Sequence, residues 1–350
     1  MTHTFEKIDI KELTKDQLTA WLARKKIASF RAGQIMKWVY LRQADQFEQM
    51  TDLSKDIRIL LSKHFSIKRL DIQNFETSKD GSVKNLLKLQ DGKFIESVLI
   101  PEKNHYTLCI SSQVGCALGC KFCLTAKNGF TRNLTMGEII AQIRDAAKSI
   151  KPDNSRQLTN IVFMGMGEPL ANYKNIVNAL SIITDSDFGL KMSTRRITIS
   201  TAGLVEKFIH LEQDTGVNLA ISLNAADNKT RDMLMPINQK YPLEILLEAC
   251  KKYPLRPRRR ITFEYILIKG INDSVKHAEN LVKLLKQVKA KINLIPFNEH
   301  SGSSFKRPDE SVILKFQNVL IKKNMTAVIR YSKGLDISAA CGQLSAKSKS

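Results

Sequence analysis

The sequence predicts an α/β fold: an open, partial (β/α)6 barrel over residues 106–344. A small helical module (1–82) and a linking β-hairpin (83–105) precede it, and a short disordered tail (345–350) follows. Three observations predict this. Beyond residue 105, short apolar strands alternate with helical stretches, which argues for a parallel sheet with crossover helices. Before residue 83 the apolar residues recur at helical spacing instead. Finally, the cysteine-rich and glycine-rich segments fall directly after expected strands, at the end where such folds bind ligands.

Taken in order, Thr14-Lys-Asp-Gln17 is a capping-box pattern opening a helix that carries Leu18, Trp21 and Leu22. A second apolar stripe runs through Ile35, Met36, Val39 and Tyr40, and a third through Ile57, Leu60 and Leu61. The outer faces carry Lys25, Lys26, Arg31, Lys37, Arg42, Lys63, Lys68 and Arg69, which either grip phosphates or form an ordinary solvated face. From Val83 to Ile100 two strand-like runs flank an Asp91-Gly92 turn signal and give the hairpin. Barrel strands are expected at Tyr106–Ser111, Asn160–Met164, Arg196–Ser200, Val217–Leu223, Ile261–Ile268 and Lys291–Phe297. Helical stretches include Met136–Ile150, Ser274–Lys289 and Glu310–Lys323. Leu255-Arg-Pro-Arg-Arg-Arg260 reads as a solvated or phosphate-contacting turn before the fifth strand, and Ser345-Ala-Lys-Ser-Lys-Ser350 as disordered.

A chain of 350 residues, 43% of them hydrophobic, can bury a large core in one large domain plus a small one. No apolar run reaches the roughly 18 residues of a membrane span, and Met-Thr-His-Thr-Phe-Glu-Lys at the start lacks an apolar signal core. The expectation is a cytoplasmic protein without membrane attachment. Lys and Arg total 55 against 34 Asp and Glu, a formal charge of +21 spread along the chain. Such charge points to a nucleic acid more than to a membrane, which would need an amphipathic or lipidated anchor, but alone it also describes a merely basic soluble protein.

Three thiols stand close together in Cys116-Ala-Leu-Gly-Cys120-Lys-Phe-Cys123, so that one loop can set them all against one face of a metal cluster. On a cubane [4Fe-4S] cluster they leave the fourth iron free for the amine and carboxylate of S-adenosylmethionine, and hence for radical chemistry. The competing reading is a structural zinc ion with Cys109 as fourth ligand, although such sites more often pair two knuckles across a longer spacer. Gly165-Met-Gly167-Glu168-Pro169, taken alone, reads as a tight turn.

The Cys-x3-Cys-x2-Cys run with Phe122 before its last thiol is the radical S-adenosylmethionine signature. Around it stand Cys109-Ile-Ser-Ser-Gln-Val-Gly-Cys116, Phe163-Met-Gly-Met-Gly-Glu-Pro169, Met235-Pro-Ile-Asn238, Ile295-Pro-Phe-Asn298 and Ala340-Cys-Gly-Gln-Leu344. In this order, from about Phe30 to Leu344, they resemble the bacterial RlmN family of adenine carbon-2 RNA methyltransferases, which is closely related to the Cfr carbon-8 enzymes. The resemblance implies a radical S-adenosylmethionine barrel with Cys116, Cys120 and Cys123 on a [4Fe-4S] cluster. It also implies that Gly167, Glu168, Ser200, Ser222, Leu223, Asn224 and Asn298 line the S-adenosylmethionine pocket.

Adenine carbon 2 lies between two ring nitrogens and is too electron-poor to attack a sulfonium methyl, so polar methyl transfer is excluded and a carbon radical is needed. On the family pattern Cys341 is the methyl-accepting thiol and Cys109 the resolving thiol, which would release the product by forming a disulfide with Cys341. Glu96, an acid interrupting the apolar strand Phe94-Ile-Glu96-Ser-Val, matches the proton acceptor. Judged without the family, Cys109 and Cys341 would be buried structural thiols, as Cys250 still is. The implied substrates are 23S rRNA in the peptidyl-transferase region and tRNA beside the anticodon, with a flavodoxin-type electron donor and a monomeric enzyme. Leu124 departs from the smaller residue expected after the last cluster cysteine. Val114, Ala117, Leu118 and Ala126-Lys127 favour carbon 2 over the runner-up, a Cfr-like carbon-8 enzyme conferring antibiotic resistance. Two further alternatives are a non-catalytic, metal-stabilised RNA-binding protein and a radical enzyme acting on a protein or metabolite.

Overall fold

In the computed structural model, which describes residues 7–150, 156–301 and 303–346, ten strands form one sheet in strict chain order. They are β1 Asp71–Thr77, β2 Val83–Lys88, β3 Phe94–Pro101, β4 His105–Cys109, β5 Gln157–Phe163, β6 Ile197–Thr201, β7 Asn218–Ser222, β8 Ile261–Leu267, β9 Ala290–Pro296 and β10 Ala327–Ile329. From β4 to β10 every pairing is parallel, while β1 to β4 form an antiparallel meander. The expected hairpin is therefore no separate linker. It is the middle of that meander, which begins at Asp71, inside the stretch expected to be helical. A seventh parallel strand, β10, joins the six expected.

Alternation along the strands explains the hollow. Leu108, Ile161, Phe163, Ile197, Ile199, Leu219, Ile221, Ile261, Phe263, Ile292 and Leu294 are buried in one core with helical residues such as Ile140, Ile143, Ile176 and Leu180. Between them on the strands stand Thr107, Cys109, Thr198, Thr262, Glu264 and Asn293, which line an internal cavity. A parallel sheet covered on both faces would read as continuous apolar runs; the period of two reflects an interior left open for ligands.

The helical module is built as its stripes imply. Thr14 and Gln17 form the capping box of Lys15–Arg24, while Leu22, Ile35 and Leu61 are fully buried. The second helix, Arg31–Met36, runs on into a π turn, Lys37–Leu41. Arg144, on the helix Met136–Ser149, is fully buried and clamps the module to the barrel. Its guanidinium donates to the carbonyls of Val39 (3.0 Å) and Ala44 (2.7 Å) and to Asp45 (2.9 Å). Arg69 spans Asp45 and Asp145 at 2.8 and 2.6 Å, so it is a structural tie and not a phosphate contact. Three arginines of the run before β8 are likewise committed internally: Arg256 pairs with Glu212, Arg259 donates to the Gly216 carbonyl, and Arg260 donates to Thr326.

The C-terminal segment is stapled to the meander by four sets of contacts. Asp80 accepts the Gly334 N–H, Asp336 accepts Ser78 Oγ and the Lys79 N–H, Lys84 Nζ donates to the Ile337 carbonyl at 2.7 Å, and Glu96 accepts the N–H groups of Ser345 and Ala346. Ser345 and Ala346, expected in a disordered tail, are thus held by hydrogen bonds; residues 347–350 lie outside the described residues.

Candidate active site

The cysteine loop is closed at its base by the strands Gln113–Gly115 and Phe130–Asn133. Gly115 has φ +76°, and a Cβ there would lie 1.9 Å from the Gly129 carbonyl oxygen, so only glycine permits the closure. Inside the loop, the Cys116 N–H donates to that same carbonyl, the Lys121 N–H to the Leu234 carbonyl and the Leu124 N–H to the Gly342 carbonyl. Thr125 Oγ1 donates to the Leu344 carbonyl at 2.7 Å. The loop therefore docks directly on the segment carrying Cys341, with Leu124 at the junction.

Cys116, Cys120 and Cys123 line one cavity, together with Gly165, Gly167, Glu168, Ser200, Ser222, Asn224, Glu264 and Cys341. Burial pushes the Cys116 thiol up to about 12 and also raises Cys120, and each is raised further by its cysteine neighbours. Thiols so placed lose their protons only to a positive group, which is what an iron–sulfur cluster provides. Among the described residues no three His, Cys, Asp or Glu side chains are grouped as a site for a metal ion. Cys109, the fourth ligand of the zinc reading, faces a different cavity from the three loop thiols.

Glu168 follows β5 and is buried. Its carboxylate accepts the N–H groups of Leu170 (3.1 Å) and Ala202 (2.8 Å), and burial pushes it up to about 7. The two glycines before it serve the protein's own backbone: a Cβ at Gly165 would lie 2.7 Å from Ile110, and one at Gly167 2.5 Å from Gln113. Their close approach is to the end of β4, and this sets Glu168 at the cavity wall. Ser200 Oγ donates to Glu264 Oε2 at 2.8 Å. Asn224 takes a left-handed conformation (φ +58°) and accepts the Ile266 N–H at 2.9 Å.

Two expected pocket residues are placed otherwise. Leu223 is fully buried in the core. Asn298 donates to Ser332 Oγ (2.9 Å) and to the Cys341 carbonyl (3.1 Å), so it holds the Cys341 segment.

Cys341 and Glu264 border both this cavity and a second one of about 410 Å³ inside the barrel, and Cys109 lines the second. All six cysteines are free thiols. Cys341 is surrounded by protein yet exposed toward the cavity, and its thiol is raised to about 12, by burial first and then by Glu264. Cys109, which shares the second cavity with Cys341, is raised by burial and then by Cys341. Glu96 is not brought to this pair. It stands 3.5 Å from Lys84 under the C-terminal segment, beside a third cavity of about 250 Å³ that also meets Leu124, Phe75 and Gln343.

Two site residues were not foreseen. Glu264 sits between Phe263 and Tyr265 on β8, is buried, and is raised by that burial. Arg231 is fully buried and donates to the carbonyls of Leu223 and Ala202 and to Asn238, tying together the loops after β6 and β7. Asn238, the end of the quoted Met235–Asn238 motif, was the available signal for Arg231.

A three-thiol loop after the first parallel strand, a buried acid after the second and a partial barrel around them define the class, a radical S-adenosylmethionine enzyme. Comparison with known proteins agrees. The radical SAM superfamily model matches residues 110–285, and the N-terminal domain model of ribosomal RNA large subunit methyltransferases matches 8–67. Proteins named dual-specificity RNA methyltransferase RlmN from Desulfosudis oleivorans and Geotalea uraniireducens are 57% and 52% identical. The matches cover 97% of this chain in both cases, and 91% and 97% of those relatives. A crystal structure of a radical SAM methyltransferase from Sphaerobacter thermophilus superposes with a TM-score of 0.91 at 41% identity, over 97% of this chain and 100% of that one. The chain belongs to the RlmN family of radical S-adenosylmethionine RNA methyltransferases, and its cofactors are a [4Fe-4S] cluster and S-adenosylmethionine. The non-catalytic reading falls with that finding.

Proposed function

We propose that the protein methylates carbon 2 of adenosine in the peptidyl-transferase region of 23S rRNA and beside the anticodon of tRNA. The observation that carries the reading is Cys341, the thiol shared by the cofactor cavity and the cavity holding Cys109. The relatives' name, dual-specificity RNA methyltransferase, supports two kinds of RNA substrate. When bound, the cluster and S-adenosylmethionine supply the methyl group and a carbon radical.

The chain's own residues do the rest. Cys116, Cys120 and Cys123 hold the cluster, and Glu168 offers its carboxylate to the methionyl ammonium. Cys341 carries the methyl group to the adenine. Cys109 then attacks the sulfur of Cys341, forming a disulfide, while the carbon–sulfur electron pair leaves with the RNA-bound carbon, which takes up a proton to become the methyl group. Glu96 accepts the proton lost from the ring; to do so it exchanges the N–H groups of Ser345 and Ala346. The helical module, with Lys25, Lys26, Lys37, Arg42 and Lys63 exposed, holds RNA through its phosphates, and the enzyme works as a cytoplasmic monomer reduced by a flavodoxin-type donor. Among the described residues no helix is long and apolar enough to cross a membrane.

Deleting the gene and digesting host rRNA and tRNA to nucleosides tests the product. Loss of 2-methyladenosine from both pools is expected; retention in both, or loss of 8-methyladenosine instead, contradicts the reading. Glu168 adds a pH dependence. With its pKa raised to about 7, the carboxylate is charged above that pH and neutral below it. S-adenosylmethionine affinity should therefore fall by up to about tenfold per pH unit below about 7, with proton release on binding. Titration calorimetry between pH 5.5 and 7.5 in buffers of different ionisation enthalpy measures this. A flat profile, or one unchanged in Glu168→Gln, removes Glu168 from the ammonium site.

A further inference from the structure

The catalytic pair sits between two cavities, and the second reaches the surface. From Cys109 and Cys341 it runs past Thr198 and Thr262 to Lys291, Arg330, Tyr331 and Lys333. Of these, Lys291, Arg330 and Tyr331 are exposed. The opening lies at the seam of the partial barrel, where β10 and the chain after it face β3. Across that seam Lys333 bonds to the Pro101 carbonyl and stands 3.5 Å from Glu102. The rim is cationic, with Lys291, Arg330 and Lys333 against Glu102. Burial and the nearby Arg330 lower the Lys291 ammonium, with Glu264 opposing them from the cavity wall.

We infer that this seam is a second entrance, through which a low-molecular-weight anionic thiol reaches and reduces the Cys109–Cys341 disulfide after each methyl transfer. The inference rests on the proposed roles of that pair. The front of Cys341 is the cofactor cavity, walled by the cysteine loop, whereas the rear cavity exposes Cys109 and Cys341 together. Its volume of about 410 Å³ suits a small thiol. One thiolate attacks a sulfur of the disulfide, forming a mixed disulfide and releasing the other cysteine as thiolate. A second thiol then displaces the bound one, so two thiols leave as one external disulfide while the cysteine pair gains two electrons and two protons. The cationic rim concentrates the anion.

The test uses cluster-loaded enzyme and two thiols of similar size, anionic 2-mercaptoethanesulfonate and neutral 2-mercaptoethanol. Pre-reduced wild type completes one turnover, and the return of free thiols is then followed. The anionic reagent should reduce the pair about tenfold faster at low salt, a preference that salt erases. Lys291→Glu with Arg330→Glu should remove or reverse that preference while the first, pre-reduced turnover stays at the wild-type rate. Thr262→Phe, which narrows the channel midway, should slow both reagents and leave the first turnover intact. An unchanged preference in the charge-reversed protein overturns the entrance, and should Thr262→Phe fail to fold, that arm alone decides. If wild type shows no disulfide after one turnover, the assignment of Cys109 as resolving thiol has failed, and this inference with it.

Discussion

Cys109→Ala protein incubated with S-adenosylmethionine, reductant and RNA is expected to accumulate a covalent protein–RNA adduct, whereas Cys341→Ala protein forms none. The two thiols line one cavity, but Cys341 alone also faces the cofactor residues, so only it can receive the methyl group first. Removing the carrier blocks the bond to RNA. Removing the partner blocks its release, because among the described residues no other thiol lines that cavity. Multiple-turnover methylation should fall by on the order of a thousandfold or more in both variants, the scale seen when a covalent nucleophile is deleted. A denaturing gel of nuclease-trimmed reactions reads the adduct, and retained S-adenosylmethionine cleavage in Cys341→Ala shows that the site is otherwise intact. Release of methylated RNA by either variant at the wild-type rate would refute the division of roles.

That pairing also shows what the linear chain could and could not reveal. Six of the seven parallel strands were legible because each is a strand-like, largely apolar run of five or more residues set between helical stretches. β10 was missed because Ala327–Ile329 is only three residues long. The strand Asp71–Thr77 was missed for another reason. Five of its first six residues from Asp71 are exposed, so it lies at a wet sheet edge with no apolar face to give it away. The cysteine loop was legible since its chemistry depends on spacing within one turn of chain. The pairing of Cys109 with Cys341 was legible only through the family pattern, because 232 positions separate them and nothing in the spacing of either thiol points to the other. Glu264 was hidden by its context, since an acid between two aromatic strand residues looks outward-facing until the barrel closes and turns that face inward. Asn298 was placed at the right strand end, but its hold on the Cys341 segment was not foreseen.

Replacing Cys116, Cys120 or Cys123 singly with Ala should remove the cluster and all S-adenosylmethionine cleavage while leaving the apoprotein folded. The loop is shaped by contacts that no thiol makes: the Gly115–Gly129 closure, the Lys121 and Leu124 N–H groups on Leu234 and Gly342, and Thr125 on Leu344. Anaerobically prepared wild type should be brown with about four irons per chain. Each variant should be colourless, with a thermal midpoint close to that of wild-type apoprotein. Gly115→Ala provides the contrast, because it keeps every ligand but forces a Cβ to within 1.9 Å of the Gly129 carbonyl, so the loop must reopen. That variant should lose both iron and the docking of the Cys341 segment, visible as faster proteolysis near residue 341. A wild type carrying stoichiometric zinc and no iron after anaerobic preparation would overturn the cluster assignment. A Cys120→Ala protein that still cleaves S-adenosylmethionine would remove that thiol from the ligand set.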